Sequence, residues 1–281
     1  MRNNPTGRQF RLGVELRKLR ERAGLTATEA GQLLGVKQNQ ISNTEAGRIG
    51  VSAERVRTLA RHYRCGDRAL IQALGDMTAD RKRGWWEEYR ELLPTALLDL
   101  AEVEHYATRL RTSVTVHIPG LLQTTDHARE LFRQVVPEFS PPDIEHRVSY
   151  RIKRQAVLFK DSPTPYLAII HEAALRMRFG SSSVVQGQLK HLLDMSDRDH
   201  VTLKVLPFSA GSFPGSGQSV FYSSGPVPQL DTVHLDQSHG PVFLDAEAQL
   251  EMYRILLDRV ESLALGPEES RDIIHHLLQE L

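Results

Sequence analysis

Residues 26–48, TATEAGQLLGVKQNQISNTEAGR, read as helix, tight turn, helix. Thr26 is placed to cap the first helix through its hydroxyl. Glu29, three positions on, completes a T-x-x-E capping box. Ala30, Leu33 and Leu34 fall at i, i+3 and i+4, which predicts one apolar face. Gly31 leaves room for a second helix to come close, and Gly35 supplies the left-handed residue that ends the first. Val36 plugs the turn into the core. The second helix is expected over Gln38 to Ala46, with Ile41 as its main apolar anchor. Its other residues, Gln38, Asn39, Gln40, Ser42 and Asn43, are polar and uncharged. A merely solvated face more often carries Glu and Lys. Amides and hydroxyls both donate and accept, as base edges require.

The charge distribution points the same way. The chain has 281 residues and a formal net charge of zero, so two domains are expected. Residues 1–84 carry 17 Lys and Arg against 8 Asp and Glu, net +9. The remainder carries 18 against 27, net −9. The basic part suits nucleic acid. The acidic part suits neither DNA nor an anionic membrane. The one cysteine, Cys65, excludes an intrachain disulfide framework and fits a reducing cytosol. No apolar run is long enough to span a bilayer and the N-terminus lacks a signal-peptide core. A cytoplasmic protein is expected, on the nucleoid when bound to DNA, with no membrane partner.

The stretch resembles the helix-turn-helix of the Xre and lambda-repressor-like family. The matching residues are Leu25, Thr26 and Glu29, then Leu34-Gly35-Val36, Gln38, Ile41-Ser42, and Glu45 with Gly47-Arg48. Members often have Gln directly after the Thr, where it touches a phosphate. Here that position is Ala27, and one backbone contact is put in doubt. The resemblance implies a five-helix bundle binding double-stranded DNA. Gln38, Asn39, Gln40 and Asn43 are the expected base readers. Thr26, Lys37, Ser42 and Arg48 complete the candidate DNA-binding set, the last three mainly on phosphates.

The other helices fit such a bundle. Residues 9–23 are expected to turn Phe10, Val14, Leu16 and Leu19 inward, surrounded by Arg11, Arg17, Lys18, Arg20 and Arg22. Ser52 caps a helix with Val56, Leu59, Ala60 and Tyr63. Asp67 caps a fifth with Leu70, Ile71 and Leu74. The domain is bounded at 1–78, with a charged connector, ADRKRG, at 79–84 that is either solvated or touches phosphates.

Residues 85–281 read as an α+β domain with a mixed sheet and C-terminal helices. Trp85, Trp86 and Tyr89 open a helical stretch, as core packing or a ligand cage. Helices are expected at 95–111, at Leu121 to Val135, from an Asp143 cap to Phe159, at 172–178 and at 184–195. Strands are expected at 112–118 (TSVTVHI), 166–171 (YLAIIH), 201–206 (VTLKVL), 219–223, 231–236 and 242–245. Two final helices carry apolar stripes at Leu250, Tyr253, Leu256, Leu257 and Val260, and at Ile273, Ile274, Leu277 and Leu278. These stripes are either internal core or the isologous seam of a homodimer. The loop SAGSFPGSG at 209–217 lacks the G-x-x-x-x-G-K of a phosphate loop.

This second domain resembles the C-terminal domain of actinomycete antitoxin-like, WhiJ-like regulators. The matching pieces are Ile118 to Thr124 (IPGLLQT), Arg154-Gln155, Glu172 with Leu175-Arg176, Gln188-Leu189, Val205-Leu206-Pro207, Leu263-Ala264-Leu265 and Glu268-Glu269-Ser270. The resemblance implies a small partner protein encoded nearby, and developmental or antibiotic control.

No catalytic constellation, metal site or cofactor motif is read. Histidines 275 and 276 diverge on a helix, His234 and His239 lack companion ligands, and there is no H-E-x-x-H or G-x-S-x-G. His171-Glu172 is the most active-site-like pair. Gln123-Thr124 and Arg154-Gln155 either line a pocket or serve as caps and surface pairs. The expectation is a non-enzymatic transcriptional regulator, reading a pseudo-palindromic operator as a homodimer, whose C-terminal domain receives a partner protein or small-molecule effector. The alternative is an antitoxin-like binder of a small protein, with autoregulatory DNA binding.

Overall fold

Four side-chain caps set the starts of four helices in the N-terminal unit. In the computed structural model, which describes residues 5–79, 84–215, 217–237 and 240–281, backbone contacts divide the chain into Met1–Trp85 and Trp86–Leu281. Most of the ADRKRG connector (80–83), with Ser216 of the glycine-rich loop and His239, lies outside the described residues.

The first unit is α1 (Gly7–Arg22), α2 (Ala27–Leu33), α3 (Gln38–Glu45), α4 (Ala53–His62) and α5 (Arg68–Asp76). Thr6, Thr26, Ser52 and Asp67 cap α1, α2, α4 and α5, each accepting a backbone N–H three residues on at 3.0–3.2 Å. Gly35 ends α2 at φ +65°. A Cβ on Gly31 would stand 2.7 Å from the Val36 carbonyl, and one on Gly13 would stand 2.4 Å from that of Glu45. Both helices therefore approach backbone against backbone, which only glycine permits.

Two apolar assignments differ from expectation. Phe10 is 53% exposed and Leu12 takes the interior place, because the buried stripe of α1 runs through Leu12, Leu16 and Leu19 and Phe10 lies about half a turn away. Val14 is half-buried and Arg20 buried. Leu33 is 52% exposed, since the buried edge of α2 is Ala30 and Gly31, about a quarter turn or more from it.

A short 3-10 helix (Trp85–Tyr89), shorter than the expected helical stretch, begins at the last residue of the first unit and leads into the second, where α6 (Thr95–Tyr106) follows. Trp86 is buried edge-on to His105 and Tyr106, as core. Then come β1 (Arg109–Val114), α7 (Thr125–Arg133), α8 (Pro141–Arg154), β2 (Tyr166–His171), α9 (Glu172–Arg176), α10 (Ser182–Ser196), β3 (Val201–Leu206), β4 (Val220–Ser224), β5 (Thr232–Gln237), β6 (Gly240–Leu244), α11 (Glu247–Leu263) and α12 (Pro267–Gln279). The sheet order is β3-β2-β1-β4-β5-β6. The first three strands are parallel and the rest antiparallel, so the sheet is mixed.

Three boundaries move, for physical reasons. β1 begins at Arg109 instead of 112, and α6 stops at Tyr106, because Leu110 to Val114 pair with β2 and Arg109 to Ser113 with β4. Two ladders outweigh the helix-compatible side chains of that segment. The helix expected from Leu121 splits into a 3-10 turn (Gly120–Leu122) and α7, because Thr124 caps α7 at the backbone N–H of His127. Ser140, not Asp143, caps α8, which stops at Arg154 before another 3-10 turn.

Leu250, Tyr253, Leu257 and Val260 of α11 pack on one face of the sheet, and Ile274 and Leu277 of α12 belong to the core on the other. Most of the two C-terminal stripes is internal core, while Leu256, Ile273 and Leu278 are half-buried at its margin. The outer edge of β3 is covered by its own chain. Leu265 N–H donates to the Val205 carbonyl at 2.9 Å, and Val205 N–H to the fully buried Ser270 hydroxyl at 2.8 Å. Among the described residues no helix is long and apolar enough to cross a membrane.

Candidate functional site

α3 presents a face that the protein leaves uncommitted. Ile41 and Glu45, one turn apart, are its buried residues. Lys37, Gln38, Asn39, Gln40, Ser42 and Arg48 are exposed, and Asn43 is half-buried. Among the described residues no side chain of these seven is held by a hydrogen bond or ion pair. Arg48 is tied down through its backbone instead: its N–H donates to the Asn43 carbonyl at 2.9 Å. Thr26 differs from the rest. Its hydroxyl donates to Glu29 Oε2 at 2.7 Å and accepts the Glu29 N–H, so it is consumed by the capping box.

The helix is positioned by a pair that the sequence reading missed. Arg20 Nε and Nη2 donate to the two carboxylate oxygens of Glu45 at 2.6 and 2.9 Å, and Nη1 donates to the Leu25 carbonyl at 2.6 Å. Both side chains are about 8% exposed. The fork joins α1, the entry to α2 and the end of α3. One signal was available: Glu45 is four residues after Ile41, so it shares Ile41's inward face and requires a cation there.

In the second unit, dispersed motif fragments converge on one loop, Ile118 to Thr124. Gln123 Nε2 donates to the Ile118 carbonyl at 2.6 Å, Gln155 Nε2 to that of Gln123 at 2.7 Å, and Gln188 Nε2 to that of Leu122 at 2.7 Å. Gln188 Oε1 accepts the Thr124 N–H at 2.8 Å. All three glutamines are buried. A loop inside the fold has carbonyls that neither ladder nor water satisfies, and these amides satisfy them. Thr124 and Gln155 thus prove to be cap and pin.

Arg154 and Glu104 form a second buried fork, at 2.8 Å between Nε and Oε2. With Thr112, Tyr166 and His234 they line a cavity of about 10 Å³ beside Gly120. That is room for one water molecule, not for an organic effector. His234 stacks on Phe221 with centroids 4.2 Å apart. Burial, with Arg154 nearby, pushes it down to about 3. Burial, then Arg151 and His117, push His127 down to about 4. Both are neutral in the fold and take up a proton on unfolding below the ordinary value of 6.5. Their stabilisation is therefore complete above pH about 6.5 and lost as pH falls toward these values. The expected loss is about 1.4 kcal/mol per pH unit for each histidine. Urea titrations between pH 6.5 and 4.5 should show a slope shallower by one proton in His234→Phe. An unchanged slope refutes the assignment.

The His171-Glu172 pair is occupied structurally. His171 Nδ1 accepts the Ala173 N–H at 3.0 Å, and Glu172 takes Arg176 Nε at 2.8 Å and the Phe208 N–H at 3.0 Å. Among the described residues no three His, Cys, Asp or Glu side chains are grouped to hold a metal ion.

Residues 97–276 match the family model of a domain of unknown function (DUF5753), and residues 11–74 match a helix-turn-helix domain. No curated protein and no solved structure matches the chain.

Proposed function

The chain belongs to the family defined by the domain of unknown function DUF5753, with a helix-turn-helix domain ahead of it, and from that premise we propose that it is a sequence-specific transcriptional regulator of double-stranded DNA. The observation that carries the reading is the uncommitted α3 face. Gln38, Asn39, Gln40 and Asn43 read bases, with adenine favoured because one amide meets its N6 and N7 together. Lys37, Ser42 and Arg48 hold phosphates. Thr26 contributes its cap, with its hydroxyl already engaged by Glu29. The finer resemblance to Xre-type and WhiJ-like regulators supports a protein that acts without catalysis and pairs as a homodimer, since a palindrome presents two half-sites. In this reading the DUF5753 domain receives an effector or a small partner protein and shifts operator affinity by about 1–3 kcal/mol.

The two groups of α3 residues fail differently. Gln38→Ala or Asn43→Ala is expected to cost about 1–3 kcal/mol on the cognate site and little on scrambled DNA. Arg48→Ala weakens both and flattens the salt dependence by about one unit of slope per copy. Binding isotherms on both duplexes at several salt concentrations test this. Equal losses on cognate and scrambled DNA for Gln38→Ala would show that α3 is not the reader.

A further inference from the structure

The arginines that the second unit buries are each answered by a carboxylate. Arg154 meets Glu104, and Arg111 meets Asp258 at 2.7 Å and Glu261 at 3.3 Å. Arg151, half-buried on α8 one turn before Arg154, is not. Its Nη1 donates to Gln123 Oε1 at 2.6 Å. Its Nε is shielded from solvent with no partner, and among the described residues no carboxylate lies within 4 Å. The guanidinium lies over the Phe132 ring, 4.5 Å from its centroid. Beside it His127 is 2% exposed, and neither ring nitrogen has a hydrogen-bond partner. Phe179 contacts both the buried His127 ring and the exposed His117 ring, with centroids 5.5 and 5.3 Å away. A buried polar group without a partner is costly, and here two residues from neighbouring helices carry such groups side by side.

We propose that the cluster of Arg151, His127, His117 and Phe179 against the pinned loop binds a small hydroxyl-bearing oxyanion, either hydrogen phosphate or an α-hydroxycarboxylate. The chemistry follows from what is unfilled. With Nη1 held by Gln123, the Nε–H and Nη2–H of Arg151 remain as parallel donors, a fork that matches two oxygens of one carboxylate or phosphate. A neutral imidazole offers one donor and one acceptor, so His127 needs an oxygen to receive its N–H and a hydroxyl to supply its lone pair. Burial, and Arg154 next to it, pull Arg151 down to about 10 against the opposing pull of Asp236, which also acts on His117, so the anion meets a positive charge that Asp236 offsets in part. Exposed His117 marks the open side, and the three glutamines that fix the loop fix Gln123, which aims the fork.

The inference rests on the reading of this domain as a receiver of signals and names the chemistry received. The test uses the full chain with ¹⁵N-labelled histidine, titrated with inorganic phosphate, lactate, acetate or chloride at matched ionic strength. Phosphate or lactate is expected to shift the His127 ring resonances saturably, with acetate weaker for want of a hydroxyl and chloride without effect. Whichever of the first two saturates at the lower concentration identifies the oxyanion class. Arg151→Lys, which keeps the charge and one donor but loses the fork, should bind about tenfold more weakly. His127→Phe, which keeps the ring volume and the arginine, should erase the preference for lactate over acetate, read at His117, and serves if the lysine variant fails to fold. No saturable shift by phosphate or lactate overturns the proposal, as does unchanged binding by Arg151→Lys. Operator affinity measured in the same solutions separates the two ideas. An oxyanion that binds without moving DNA affinity leaves the site standing and removes the signal-receiving role.

Discussion

Glu45→Ala is expected to destabilise the helix-turn-helix unit by about 3–5 kcal/mol, because it leaves the buried Arg20 guanidinium with only the half-exposed Glu21 carboxylate, 3.5 Å away, as counter-charge. The carboxylate takes two of the three hydrogen bonds that Arg20 makes, and the third goes to the Leu25 carbonyl at the start of the α2 cap. Losing it frees the end of α3 and the entry to α2 together. A unit this small has a total stability of the same order, so much of the population should unfold at ambient temperature. Urea titration followed at α1 and α3 amide resonances measures the loss for this unit alone, which matters because two units do not give one transition. Replacing both partners with apolar residues, Arg20→Met with Glu45→Leu, should lie closer to the wild type than either single change. A loss under about 1 kcal/mol for Glu45→Ala would mean that the pair behaves as a surface ion pair and does not hold the reading helix.

Glu104→Ala should produce an effect of similar size in the second unit, about 3–5 kcal/mol. Arg154 would then sit buried between Arg151 and neutral His234 with no carboxylate against its fork. Glu104→Gln, which keeps an acceptor, should cost less. The loss is read in urea at β1 and β2 amide resonances. The His234 ring shift provides a second readout, since a guanidinium freed from Glu104 should turn toward the cavity that both line. Equal stability of the alanine and glutamine variants would show that the retained acceptor and volume offset nothing and that the whole cost lies in the lost charge.

The sequence by itself determined what is encoded within a turn or two of backbone. The helix-turn-helix followed from Thr26 with Glu29, from the close approach required at Gly31, and from Gly35 at positive φ. Each of these is a contact or conformation within ten residues of its cause. The strands YLAIIH and VTLKVL and the final two helices were equally local, read from runs or stripes that hold one period. Tertiary structure decided whatever depends on a partner far along the chain. Arg20 finds Glu45 25 residues away, Gln155 finds Gln123 at 32, Arg154 finds Glu104 at 50, and Gln188 finds Leu122 at 66. A charged or amide side chain in a local pattern reads as solvated, because no periodicity records which distant carbonyl or carboxylate will lie beneath it. The limits of β1 were hidden for the same reason: strands on both sides claim its backbone, and they are 57 and 115 residues further along at Tyr166 and Ser224. Burial makes such partners obligatory, since an unmatched polar group costs more in the interior than any local propensity supplies. Only the assembled fold shows which groups have found a partner and which, like Arg151 Nε and the His127 ring nitrogens, have not.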